Sequence, residues 1–279
     1  MGRIVVALHC SGAGAWQWQT LAEALGDRYD FAAPEHYGCD GVGPWCGAHA
    51  FTLADEAART LELIDRQPRP VHLVGHSYGG GVALHVALTR PKRIASLALY
   101  EPSSFHLLRS MGEAGAAALA EIMAVARMAG HGVITGDYRG AAASFVEYWG
   151  GQGAWDALRP GAQDALARWA PKAPLDFTAL IEETTPPALY TGLRFPALVL
   201  RGEHAPLPSR LLAEYVAALL PAGRLGVIAG AGHMGPLTHA DSVNAALSGH
   251  IAAAEAATDA APAAGMSDPA GAGRSCAGE

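Results

Sequence analysis

Gly75-His76-Ser77-Tyr78-Gly79-Gly80 lies between the apolar run Val71-His72-Leu73-Val74 and a helix-forming stretch that stops before Pro91. The run has the length and β-branched content of a buried strand, and residues 81–88 read as a helix. Strand, sharp turn and helix therefore meet at Ser77. Gly75, Ser77 and Gly79 fill the pattern G-x-S-x-G, in which the serine takes a strained turn and small neighbours let strand and helix approach closely. Such a turn lifts the hydroxyl clear of the sheet and aims the first free amides of the helix at whatever the hydroxyl attacks. The same residues also fit an ordinary glycine-rich turn, and the flanking strand and helix separate the two readings. Ser77 is the candidate nucleophile.

The chain has 279 residues, of which 51% are apolar and 16% charged, enough to bury a large core in one domain or one domain with an insertion. A net charge of -7 with no Lys/Arg cluster argues against nucleic acid or an anionic membrane as partner, and favours a small neutral or apolar substrate. No run of about 20 uninterrupted apolar residues predicts a membrane span. Arg3, the apolar run after it and Ala13-Gly14-Ala15 faintly resemble a secretory signal, but the run is short and serves better as a first strand. The four cysteines (Cys10, Cys39, Cys46, Cys276) lack zinc-type spacing and are too few for a disulfide scaffold, so a cytoplasmic location is expected. A bridge between Cys39 and Cys46 stays open.

Working outward from Ser77, strand and helix patterns alternate. Residues 3–9 form a strand closed by Ser11-Gly12-Ala13-Gly14; residues 16–25 a helix capped by Gly26; residues 29–34 a second strand; residues 36–51 a long loop. Residues 53–64 form an amphipathic helix with Leu61 and Ile64 inward and Asp55, Glu56 and Arg59 outward. After the Ser77 helix, residues 94–100 make a strand ending at Glu101-Pro102. This alternation predicts a mostly parallel sheet with helices on both faces, which binds ligands beyond the carboxyl ends of its strands, where His9, Glu35, Ser77 and Glu101 fall.

From 104 to 190 the alternation stops. Helical segments at 114–128, 137–149 and 154–169 predict a helical cap over the sheet, with a few of its aromatic residues lining an apolar pocket. Residues 196–203 and 225–229 resume as strands around a helix at 208–220, and residues 240–253 form the last helix. The expected core is thus 1–103 with 191–255, the cap 104–190, and a disordered Ala/Gly/Pro/Ser tail 256–279.

A serine hydroxyl needs a base, and the base should be a histidine held by a carboxylate near the same strand ends. His233 qualifies, in the glycine-flanked loop Gly230-Ala231-Gly232-His233-Met234-Gly235 after the last strand; His239 reads as a surface or supporting residue.

Taken together, Gly75-His76-Ser77-Tyr78-Gly79, Gly232-His233, the early His9-Cys10-Ser11-Gly12 and the helical insertion resemble the α/β-hydrolase family over residues 3 to about 253. The resemblance implies an oxyanion hole built from the backbone amides of Ser11 and Tyr78, and no metal or organic cofactor. Two departures stand out. Cys10 replaces the usual glycine of the early loop. Ala205 stands where the family places its acid, in Gly202-Glu203-His204-Ala205, and an alanine cannot orient His233. The family's alternative acid position, after the next strand, holds Glu101, which is favoured over Glu203 as the second candidate.

The expected activity is hydrolysis of carboxylic esters of small, largely apolar substrates through an acyl-enzyme. Lactone, thioester or carbon–carbon bond hydrolysis on the same triad is the alternative. Two other classes are weaker. A dinucleotide site would use Gly12-Ala13-Gly14 with Glu35, but Gln17 stands at its third glycine. A silent ligand-binding member would explain Ala205 but not the retention of both Ser77 and His233.

Overall fold

Strict alternation of side chains along each strand decides which face every apolar residue serves. In a computed structural model describing residues 3–260, the strands are β1 (Ile4–Leu8), β2 (Asp30–Ala32), β3 (Val71–His76), β4 (Ile94–Tyr100), β5 (Ala197–Gly202) and β6 (Gly223–Ile228). They pair in parallel as one sheet in the order β2-β1-β3-β4-β5-β6. Val6, Leu8, Leu73, Leu97, Leu99 and Val199 feed one core; Val5, Ala7, Val74, Ala98, Leu198 and Leu200 feed the other.

Helices cover both faces. On the second core lie α1 (Gln19–Leu25), extending a 3-10 turn at Ala15–Trp18, and the long C-terminal α11 (Ala240–Ala260), through Trp18, Leu21, Val243, Leu247 and Ile251. On the first lie α2 (Leu53–Asp65), α3 (Tyr78–Thr89) and α9 (Leu207–Leu219). A capping box starts α2, Thr52 Oγ1 accepting from the Asp55 amide while the Asp55 carboxylate takes the Thr52 amide at 2.9 Å.

Between β4 and β5 the described chain is helical: a 3-10 segment Phe105–Ser110, then α4 (Gly112–Thr135), α5 (Tyr138–Gly150), α6 (Pro160–Trp169), α7 (Ala173–Ile181) and the single-turn α8 (Pro187–Tyr190). A further short helix, α10 (Gly235–Thr238), follows β6. By length and composition α4 could cross a membrane, but Ala118, Ile122, Val125 and Ala129 of α4 belong to the first core.

Several expectations are corrected. The helix expected at 154–169 begins only at Pro160, because Gly151 and Gly153 take positive φ in the preceding turns. The sequence reading missed α7 and α8, whose prolines sit in the first helical turn, where a missing N–H costs nothing. The last helix runs to Ala260, so residues 256–260, expected to belong to the disordered tail, are helical; the rest of that expectation, residues 261–279, lies outside the described residues. Glu56, expected on the outer face of α2, is only 2% exposed.

The chain leaves β1 for β2 on one side and then crosses to β3 on the other, so the sheet's direction of growth reverses between β1 and β3. Crevices at such reversals, beyond the carboxyl ends, are where sheets of this kind hold ligands. Ser11 follows β1 and Ser77 follows β3.

Candidate active site

The turn at Ser77 is as tight as its glycines suggest. Ser77 has φ 53° and ψ -117°, and α3 begins at the next residue. A Cβ on Gly75 would lie 2.5 Å from the Gly79 carbonyl oxygen, and one on Gly79 would run into the carbonyl oxygens of Leu8 and His9. Those two glycines let β3 fold back onto α3 and seat the start of α3 against the end of β1.

Ser77 Oγ is 2.9 Å from His233 Nε2, and His233 Nδ1 is 2.6 Å from Glu101 Oε2. With the Nδ1 proton donated to the carboxylate, Nε2 is the acceptor for the serine hydroxyl. All three residues are buried. The second Glu101 oxygen accepts the Gly202 amide at 2.8 Å, which fixes the carboxylate on the end of β5. The loop carrying His233 is held from below: His76 Nε2–H donates to the His233 carbonyl at 2.9 Å, and the Tyr100 hydroxyl to that of Gly232 at 2.7 Å. Burial drives the His76 ring far below the ordinary histidine range, which keeps it neutral and able to make this bond. The Trp149 ring covers His233 at 4.2 Å between centroids.

Glu203, the second candidate acid, points elsewhere. It is exposed, and its carboxylate accepts the Gly230 amide at 2.8 Å. His239 meets Thr238 at 2.9 Å, outside this chain of bonds.

Ser11, Ser77 and Tyr78 line one cavity of about 10 Å³, the space of about one water, with Ser103, Asp176 and the apolar Phe105, Phe145, Trp149, Ala173, Phe177 and Leu180. As the first residue of α3, Tyr78 has an amide with no acceptor inside the helix. The unusual Cys10 is accommodated by burial: its amide donates to Gln17 Oε1 at 3.1 Å, and its carbonyl accepts the Ala13 amide at 3.2 Å. Burial also pushes its thiol up to about 12. Gln17 thus props the early loop, and Leu166 and Trp169 cover Gly12. Cys39 and Cys46 are free thiols. Among the described residues no three His, Cys, Asp or Glu side chains gather as metal ligands.

Beside the cavity lies a charged cluster that the sequence reading missed. Lys172, between α6 and α7, is 5% exposed, yet its Nζ meets Glu56 Oε2 at 2.8 Å and also Asp176 Oδ1. Glu56 further accepts from the Tyr78 hydroxyl at 2.7 Å and the Tyr37 amide at 3.0 Å. Asp176 Oδ2 accepts from the Ser11 hydroxyl at 2.6 Å. Burial lowers the Lys172 ammonium's proton affinity, but the Asp176 and Glu56 carboxylates outweigh it and leave it raised and charged. Glu56 is held well below the usual carboxylate range: burial opposes this, but His36 and Lys172 prevail. A single signal pointed here, the charged pair Lys172 and Asp176 at i,i+4 spacing within the apolar run 170–181. Ser103, whose Oγ is 3.2 Å from that of Ser77, carried none.

The alpha/beta hydrolase family's sequence model matches residues 5–246, and the chain belongs to that family. It is therefore a member of the α/β-hydrolase superfamily. Lipase LipV of Mycobacterium tuberculosis is 39% identical over 87 residues, 31% of this chain and 32% of that one. Such matches span about a third of the curated relatives' length. Among solved structures, a hydrolase from Pseudomonas aeruginosa superposes with a TM-score of 0.67 at 23% identity, covering 89% of this chain and 90% of that one. The 2-hydroxy-6-oxo-6-phenylhexa-2,4-dienoate hydrolase of a Rhodococcus species gives 0.62 at 21%, covering 90% and 91%. At these identities the structures share the fold.

Proposed function

We propose that the protein hydrolyses carboxylic esters of small, largely apolar substrates through an acyl-enzyme on Ser77. The observation that carries this reading is the bonded series Ser77–His233–Glu101, opening on a cavity walled by Phe105, Phe145, Trp149 and Phe177. Ser77 Oγ attacks the carbonyl carbon as its proton passes to His233 Nε2, and Glu101 holds the imidazolium that results. The amides of Ser11 and Tyr78 receive the carbonyl oxygen as it gains charge. The carbon–oxygen bond to the leaving group then breaks and His233 returns the proton to that alcohol. Water, deprotonated by the same histidine, attacks the acyl-serine; the bond to Ser77 Oγ breaks, His233 returns the proton to Oγ and the acid is released. An acyl group is larger than the cavity, so substrate entry requires the aromatic walls from α5 and α7 to move aside.

The test is labelling by a fluorophosphonate probe together with turnover of short-chain aryl esters, on the wild type and Ser77→Ala. Loss of both signals in the variant is expected, with turnover down by about 10⁶; persistence of either would remove Ser77 from the reaction.

A further inference from the structure

The two residues whose amides would form the oxyanion hole are tied, through separate carboxylates, to one buried ammonium. Ser11 is bonded to Asp176, Tyr78 to Glu56, and Lys172 bridges the two carboxylates. We propose that Asp176, from the helical segment between β4 and β5, and Glu56, from α2, are positioning residues that, held together by Lys172, set the oxyanion hole. This rests on the hydrolytic reading given above.

The early loop needs such an anchor. Ser11-Gly12-Ala13-Gly14 consists of small residues, and Gly12 has φ +72°, so its backbone has many alternatives to the one conformation that presents the Ser11 amide. Gln17 fixes the loop on the sheet side through Cys10. On the cavity side the Ser11 side chain is fixed by Asp176, 165 residues away in sequence. Small errors in such placement are costly, since about 1 Å of displacement lowers rates by about 10².

A carboxylate beside a developing oxyanion would ordinarily oppose it by Coulomb repulsion. Lys172 answers that problem. Its ammonium occupies Asp176 Oδ1 and leaves Oδ2 for Ser11, placing a positive charge next to the negative one. The ammonium is itself walled by the Phe51 and Tyr78 rings, at 4.4 and 4.8 Å from their centroids. The other arm of the cluster fixes Tyr78 at the start of α3. Since Lys172 and Asp176 belong to the segment between β4 and β5 and Ser11, Glu56 and Tyr78 to the sheet and its flanking helices, displacing that segment would release the Ser11 tether.

The experiment is a double-mutant cycle of Ser11→Ala and Asp176→Ala, read by kcat and KM on an aryl ester and by the rate of fluorophosphonate labelling. Ser11→Ala keeps the amide and removes only the tether, and it is mild enough to fold even if Asp176→Ala does not. Each single variant should lose about 10- to 100-fold in kcat and in labelling rate, with KM changed less than about threefold, and the double variant should lose no more than either. Asp176→Asn, which keeps an acceptor for Ser11, should recover part of the loss. Unchanged kcat in Ser11→Ala, or losses that multiply in the double variant, would overturn the positioning role while leaving the hydrolase reading intact. A wild type that neither labels nor turns over ester would overturn both.

Discussion

Ser77 and Glu101 stand side by side on adjacent strands: each follows the register pair His76–Tyr100, and the Ser77 amide donates to the Tyr100 carbonyl at 3.0 Å. They are also the two non-glycine residues with positive φ among those described, at 53° and 44°. Strain of this kind costs of order 1–3 kcal/mol per residue and persists where the surroundings enforce it. Here it turns two neighbouring strand ends so that both side chains converge on His233.

That convergence separates the two candidate acids. Glu101→Gln keeps the shape but cannot hold an imidazolium, and kcat should fall by about 10³–10⁴. Glu203→Gln, at an exposed carboxylate bonded to the Gly230 amide, should stay within about twofold. Steady-state kinetics on purified variants decides it, and a large loss in the second variant alone would move the acid to β5.

Gly79 offers a test of the turn itself. An alanine methyl there meets the carbonyl oxygens of Leu8 and His9, which are backbone and cannot rotate away. Gly79→Ala should destabilise the fold by about 1–3 kcal/mol and displace Ser77, abolishing fluorophosphonate labelling even in the folded fraction. Thermal melts with labelling check both parts; a stable, fully labelled variant would contradict the close approach.

Most of the strands were legible in the sequence because buried parallel strands are continuous apolar runs, whereas their order in the sheet was not; Ser77 and Glu101 were legible because each follows such a run, and His233 because it sits in a glycine-flanked loop after the last strand. The cluster around Lys172 was not. Glu56 shares the buried face of α2 with Leu53, Ala57, Thr60 and Ile64, but its charge argues for an outward position, and its burial becomes tolerable through partners distant in sequence, His36 and Lys172, the latter 116 positions away. The acid was ambiguous for a related reason: Ala205 excludes one position, but nothing local distinguishes a carboxylate bonded to His233 from one bonded to a loop amide.

Buried histidines give the fold a defined acid lability. Burial lowers His9 to about 3 and His106 and His250 to about 4, and it lowers His72 and His76 as well. Between those values and the ordinary 6.5, the unfolded chain binds protons that the folded chain refuses, so stability falls as pH drops through this window. Asp176, raised chiefly by burial, acts in the opposite direction but is one group. The Tm should decrease steadily from pH 7 to 4.5. His250→Gln, which keeps a donor for the Leu97 carbonyl now bonded at 3.1 Å, should flatten that slope by about one proton. A Tm independent of pH would contradict the neutral burial of these rings.

Lys172 provides the sharpest electrostatic test. Lys172→Met keeps much of the side chain's volume but leaves Glu56 and Asp176, both at most 5% exposed in their side chains, without their cation. Breaking a buried pair in this way costs about 3–5 kcal/mol, because the remaining charges stay desolvated. The loss should be largest near pH 8 and shrink toward pH 5, since each carboxylate can escape by taking up a proton, and its pKa rises in the variant. Adding Glu56→Gln and Asp176→Asn removes the charges and should restore most of the stability while leaving the Ser11 and Tyr78 hydroxyls with acceptors. Urea unfolding of the single and triple variants at both pH values measures this. A single variant equally destabilised at pH 5 and pH 8, or a triple variant no more stable than the single, would show that Lys172 acts through packing and not through its charge.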